Sequence, residues 1–211
     1  MKTAALIFAC IYFMINLNAQ KNIAGEYYLH GVMEIASGIK LSTDSSFEFF
    51  FSYGALDRYG SGKWSIKNDS IILNSKALPG KDFKLVNSVS STDKFSTIKI
   101  EDKNTNLYQM IYCRAISASQ DSIINFDETG IITLPFVADS IQFLSELCPE
   151  RSSSFSLEKP PMVYTFNIQP WILEVFFNQS AFYFTNDYLE GEHPLLDKKT
   201  YRFEKEKAAD Q

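Results

Sequence analysis

Residues 47–64 read FEFFFSYGALDRYGSGKW, and eight of these eighteen positions are Phe, Tyr, Leu or Trp. Taken two at a time, Phe47, Phe49, Phe51 and Tyr53 fall on one side, and Ser46, Glu48, Phe50 and Ser52 on the other. Successive side chains alternate across a strand, so this spacing predicts a β-strand with one apolar face turned to a core. A helix would need a 3.6-residue period, which the stretch does not hold. Gly54 and Gly60 then bracket a loop, ALDRY, and Gly62 leads into a second strand in which Trp64 and Ile66 share a face. Asp57, Arg58 and Tyr59 are the candidate recognition loop, because β-scaffolds carry their binding groups on connecting loops. The simpler reading of the same residues is an ion pair or an Asp-to-backbone turn contact.

The same alternation extends in both directions. In EYYLHGVMEI, Tyr27, Leu29, Met33 and Ile35 oppose Glu26, Tyr28, His30 and Glu34. Gly38 and the TDSS stretch at 43–46 read as turns, and Asn68-Asp69 as a two-residue turn into Ser70–Leu73. Strand and turn recur about every ten residues, the pattern of an antiparallel meander. A Ser-rich stretch, NSVSSTDKFS at 87–96, marks the expected boundary. Beyond it come further alternating segments, including LYQMIYCRAIS, DSIINF, IITLPF, DSIQFLSEL, VYTFNI, WILEVFF, SAFYF and TYRFEK. The expectation is an all-β protein: an antiparallel meander or partial barrel over 21–94, a β-sandwich over 95–205, and a frayed, mixed-charge tail at 206–211.

Residues 1–20, MKTAALIFACIYFMINLNAQ, read as a signal peptide. Lys2 supplies the positive start, Ala4 to Ile15 an apolar run of 12, and Leu17-Asn18-Ala19 a cleavage site. Twelve residues suit a signal core and fall short of a membrane span. No later stretch is uninterrupted and apolar at membrane length, so export to the periplasm or outside the cell is expected, without stable membrane insertion. The formal net charge is −5. An acidic surface disfavours nucleic acid and anionic membranes, both of which reward basic patches. Cys113 and Cys148 remain after cleavage. An exported protein permits a disulfide between them, closing a loop that contributes roughly 4 kcal/mol in the chain-entropy model. Two buried free thiols are the alternative, since the sequence does not fix their separation.

Several motifs suggest chemistry and fall short of it. GSGKW at 60–64 lacks the spacing and the Ser/Thr of a phosphate loop; a β-turn entering a strand explains it. NFDETG at 125–130 opens like a calcium loop, but Phe136 stands where the closing glutamate belongs, and a hairpin with Gly130 in the left-handed position fits better. The only histidines are His30 and His193, with no HExxH, HxH or CxxC. His193, in EGEHP beside two glutamates, reads as a solvated loop residue, and His30 as exposed. No GxSxG is present, although a triad need not be contiguous. No metal or cofactor is expected.

Residues 25–74, with Gly25-Glu26-Tyr27-Tyr28-Leu29, then Phe47 to Gly54, then Gly60 to Leu73, resemble the G-x-Y … F … G-x-W-x-[IV] … L pattern of small lipocalin-like β-domains in exported bacterial proteins. Residues 97–147, carrying Ile98 to Asp102 and Asp127-Glu128-Thr129-Gly130 before Ile131 to Leu134, resemble a carboxypeptidase regulatory-like module, a transthyretin-type sandwich. The resemblance implies a non-catalytic accessory or binding role with an unidentified protein or small-molecule partner. Three functions follow as expectations. The first is a non-enzymatic structural or interaction protein. The second is a small-molecule carrier with a cavity behind Phe47–Tyr53, and the third a hydrolase with a noncontiguous site.

Overall fold

The computed structural model describes residues 23–159 and 161–207. The expected signal peptide and the end of the expected tail lie outside the described residues. The chain divides into two compact units, one holding residues up to 77 together with those from 174 onward, the other residues 78–173.

The first unit begins as the alternation predicts. Strands β1 (Gly25–Leu29), β2 (Ile35–Leu41), β3 (Ser46–Tyr53), β4 (Leu56–Lys67) and β5 (Ser70–Asn74) follow one another as an antiparallel meander. On β3, Phe47, Phe49 and Phe51 are buried while Glu48 and Phe50 are exposed. Asn68, at φ 54°, makes the two-residue turn that pairs Lys67 with Ser70. After residue 173 the chain supplies β14 (Ser180–Phe184), β15 (Tyr188–Glu192) and β16 (Thr200–Lys205). These close the sheet into a barrel of order β1-β16-β15-β14-β5-β4-β3-β2. Leu29 lies opposite Phe203 across the β1–β16 seam, and Phe182 opposite Ile71 across the β14–β5 seam. Closure removes the unpaired sheet edges that an open meander would leave.

The second unit holds β6 (Phe83–Ser90), β7 (Thr97–Glu101), β8 (Ile111–Ile116), β9 (Asp121–Asn125), β10 (Ile131–Thr133), β11 (Ser140–Ser145), β12 (Ser153–Ser156) and β13 (Met162–Ile168). They form two four-stranded sheets, β10-β7-β13-β6 and β12-β11-β8-β9. The pairing of β13 with β7 is parallel and the rest are antiparallel. Phe143 of one sheet stacks on Phe83 of the other at 4.5 Å and meets Phe166 edge-on at 4.8 Å, so the faces join in an aromatic core. The protein is all-β, a barrel plus a sandwich, as the alternation predicts.

The expected boundary at 94/95 is corrected. β6 already belongs to the sandwich, and 180–205, assigned by sequence to the sandwich, belong to the barrel. The physical reason is that β1 needs a partner on its outer side, and the strand that supplies it comes from the far end of the chain. WILEVFF is likewise no strand. Pro170–Leu173 is a short 3-10 turn, and the residues after it enter the barrel unit as irregular chain.

Candidate functional site

The barrel interior is packed with side chains. Phe47 and Phe49 each meet the ring of Phe177 edge-on at 5.1 Å, Phe177 being inserted from the segment between residues 173 and 180. Phe182 and Phe203 meet at 5.9 Å. Trp64 is buried and donates its indole N–H to the Ser42 carbonyl at 3.0 Å. Backbone bonds fix the Phe177 segment: Val175 N–H donates to Tyr59 O at 2.7 Å and Ser75 N–H to Phe177 O at 2.8 Å. Gly60 faces this segment, and a Cβ there would lie 2.7 Å from the Val175 carbonyl oxygen. A Cβ on Gly62 would lie 2.1 Å from the Asn74 oxygen. The glycines of GSGKW thus sit inside a strand rather than in the expected turn, and their role is close approach of neighbouring chain.

His193 directly follows β15 and points inward, contrary to its expected place in a solvated loop. It is 3% exposed. Its ring stacks on Phe203 at 5.9 Å and lies 5.5–5.9 Å from Phe49, Phe51 and Tyr201. Strand alternation places it there, two residues beyond the inward-facing Gly191. The hydrogen bonds fix the tautomer. Leu195 N–H donates to Nδ1 at 3.1 Å, so the proton is on Nε2, which lies 3.0 Å from Ser37 Oγ. Ser37 in turn donates to the Phe50 carbonyl at 2.8 Å. Desolvation lowers the His193 pKa from 6.5 to about 4. A Ser–His base pair needs the imidazole to accept the serine proton. Here the imidazole gives its proton toward the serine, and no carboxylate is on its other nitrogen.

Asp57, Arg58 and Tyr59 form no loop. The β3–β4 connection is only Gly54-Ala55, with Gly54 at φ 57°, because Leu56 already pairs with Tyr53. The three residues therefore alternate along β4. Asp57 faces out and accepts from Ser52 Oγ at 2.6 Å. Arg58 faces in, 2% exposed, and donates to the Glu174 carbonyl at 3.3 Å. Tyr59 faces out, 52% exposed.

Tyr59 belongs instead to a surface that the linear reading split among separate strands. Tyr28 of β1, Gly38 of β2, Phe50 of β3 and Tyr59 of β4 are successive register partners on the outer wall. Two residues along each strand lies a polar row: Glu26, Lys40, Glu48 and Ser61. Together they line a groove of about 500 Å³. Gly38 forms its saddle. A Cβ there would lie 2.5 Å from the Phe50 ring and 3.1 Å from that of Tyr28. The two rings are 6.1 Å apart, tilted by 58°. Phe50 is 40% exposed. Glu26 accepts the Tyr28 hydroxyl at 2.7 Å and the Lys40 ammonium at 2.8 Å. Lys40 chiefly holds the Glu26 carboxyl below its usual range, and Glu26 pushes the Tyr28 phenol up to about 12.

In the second unit Cys113 and Cys148 are both buried and form no disulfide, so of the two readings the buried thiols hold. Burial pushes the Cys113 thiol up to about 12, and the Cys148 thiol lies 3.9 Å from Asp82 Oδ2. Asp82 is also gripped at 3.0 Å by both Nε and Nη2 of Arg151, which reaches the Ile172 carbonyl as well. In NFDETG, the Asp127 carboxylate accepts from the Thr129 backbone N–H at 2.9 Å and Gly130 takes φ 67°. The turn is not the expected hairpin, because β9 pairs with β8 and β10 with β7, and it carries the chain from one sheet of the sandwich to the other. His30 is exposed. Among the described residues no helix is long and apolar enough to cross a membrane.

No protein-family profile and no curated protein matches the chain. Among solved structures, it is similar to the H. pylori beta clamp in complex with 5-chloroisatin, at 9% identity and a TM-score of 0.14. That alignment covers 92% of this chain and 62% of the other. A likeness of that size carries no argument about fold or function.

Proposed function

We propose that this chain is an exported, non-enzymatic binding protein, its barrel a solid scaffold and its recognition surface the outer wall around Tyr28, Phe50 and Tyr59. The observation that carries the reading is the packing of Phe177 and His193 among the rings of the Phe47–Phe51 ladder. A carrier needs its apolar hollow where those rings sit, and ligand hollows are typically several hundred Å³. A groove of that size lies on the opposite, outer side of the same strands. The hydrolase reading needs a histidine that accepts from serine, and the His193 tautomer runs the other way. The closed eight-stranded barrel supports a lipocalin-like assignment of the first unit, and the two-sheet second unit suits a transthyretin-type module. Export rests on residues 1–20 alone.

The test uses the purified protein with a fluorescent long-chain fatty acid and a panel of p-nitrophenyl esters. Neither saturable uptake of the fatty acid nor ester turnover is expected. Uptake competed by unlabelled fatty acid would restore the carrier reading, and turnover abolished by Ser37→Ala the hydrolase reading.

A further inference from the structure

We propose that the outer-wall groove binds a neutral oligosaccharide, an inference that rests on the non-enzymatic binding reading and names the ligand class for its site. The groove offers two parallel stripes of different chemistry. One is the aromatic row of Tyr28, Phe50 and Tyr59 with the Gly38 saddle, and the other is Glu26, Lys40, Glu48 and Ser61. At about 4.8 Å between strands, the row from β1 to β4 runs roughly 14 Å. That is the length of a few linked sugar rings. The two stripes lie roughly 7 Å apart, two residues along each strand. A saccharide has the same division, an apolar C–H face for the exposed rings and a rim of hydroxyls.

The polar stripe also decides against other ligands. Each sugar hydroxyl donates and accepts, and the stripe supplies both: carboxylate acceptors, an ammonium donor and a serine hydroxyl. A cationic ligand would meet Glu48 but also the Lys40 ammonium beside it, and Glu26 is already held by Lys40 at 2.8 Å and by Tyr28 at 2.7 Å. An anionic ligand would face Glu26 and Glu48 on a chain of net charge −5. A hydrocarbon chain would strip water from the Glu26–Lys40 pair and from Glu48 and offer them no hydrogen bond in return. A neutral, hydroxyl-rich ligand with a flat apolar face is what remains matched on both stripes.

Gly38 completes the fit, because any side chain there meets Phe50 and Tyr28 and fills the saddle. The experiment is calorimetric titration of the full chain with cellohexaose, maltohexaose, mannohexaose and N-acetylchitohexaose, and with choline chloride as the cationic comparison. Saturable binding of at least one hexaose at millimolar concentration or tighter is expected. Phe50→Ala and Tyr59→Ala should each weaken it at least tenfold with the thermal midpoint little changed, both rings being exposed. Choline binding in place of every sugar, or binding unchanged in both variants, overturns the inference. So does the absence of binding by all four hexaoses, which leaves the non-enzymatic reading standing. Shortening of a bound hexaose, read by mass spectrometry, overturns that reading instead and leaves the saccharide groove.

Discussion

His193 is a neutral imidazole enclosed by Phe49, Phe51, Tyr201 and Phe203, with Ser37 and the Leu195 N–H as its polar partners. Its folded pKa of about 4 lies below the ordinary 6.5, so between those values the unfolded chain binds the extra proton. Stability therefore rises with pH across this window. It is undiminished above about 6.5 and is lost as pH falls toward 4, by roughly 3 kcal/mol in all. Urea midpoints measured from pH 7 to 4.5 should fall in the wild type and stay nearly flat in His193→Gln; parallel profiles would remove His193 as the cause. Ser37→Ala leaves the buried Nε2–H without its acceptor and should destabilise by about 1–3 kcal/mol at pH 7, read from the same melts. Such a residue is hard to see in a sequence. EGEHP is polar on both sides of the histidine, and only the alternation carried on from Leu189 would have sent it inward.

The strand elements were legible because each one repeats its own evidence every second residue. Phe47, Phe49 and Phe51 lie on the buried face the alternation predicts. The segment after residue 173 was not legible, since WILEVFF carries the composition of a strand while Phe177 serves as a plug. Its position depends on Gly60 and Ser75, more than a hundred residues earlier in the chain. Phe177→Ala should cost about 3–5 kcal/mol, the range for emptying a packed aromatic site, with Trp64 fluorescence as the reporter in urea. Gly60→Ala attacks the same contact from the β4 side by placing a methyl against the Val175 carbonyl. The two changes act on one contact, so their effects should be less than additive; strict additivity would mean Gly60 and Phe177 are uncoupled. The groove was hidden for a related reason. Phe50 reads as an odd apolar residue on a polar face until cross-strand register sets it between Gly38 and Tyr59.

At the scale of the whole molecule, a sandwich is inserted into a barrel between β5 and the Phe177 segment. Local alternation cannot show this, because the pairings that close the barrel join residues at opposite ends of the chain. Such non-local closure carries a loop-entropy cost that grows only slowly with the length of the insert. The barrel's own ends are held together where Ser75 N–H donates to Phe177 O at 2.8 Å, so a linker of a few residues can join 77 to 174. A chain of 21–77 joined by a short Gly/Ser linker to 174–207 should therefore fold alone, with a cooperative urea transition and Trp64 shielded from solvent. A fragment of 21–94, the module expected from sequence, lacks β14, β15 and β16 and leaves β1 and β5 as open edges; it should aggregate or remain unfolded. If 21–94 folds cooperatively and the joined chain does not, the meander is self-sufficient and the closing strands are an accessory. The reverse result assigns the barrel's stability to the β1–β16 and β5–β14 seams.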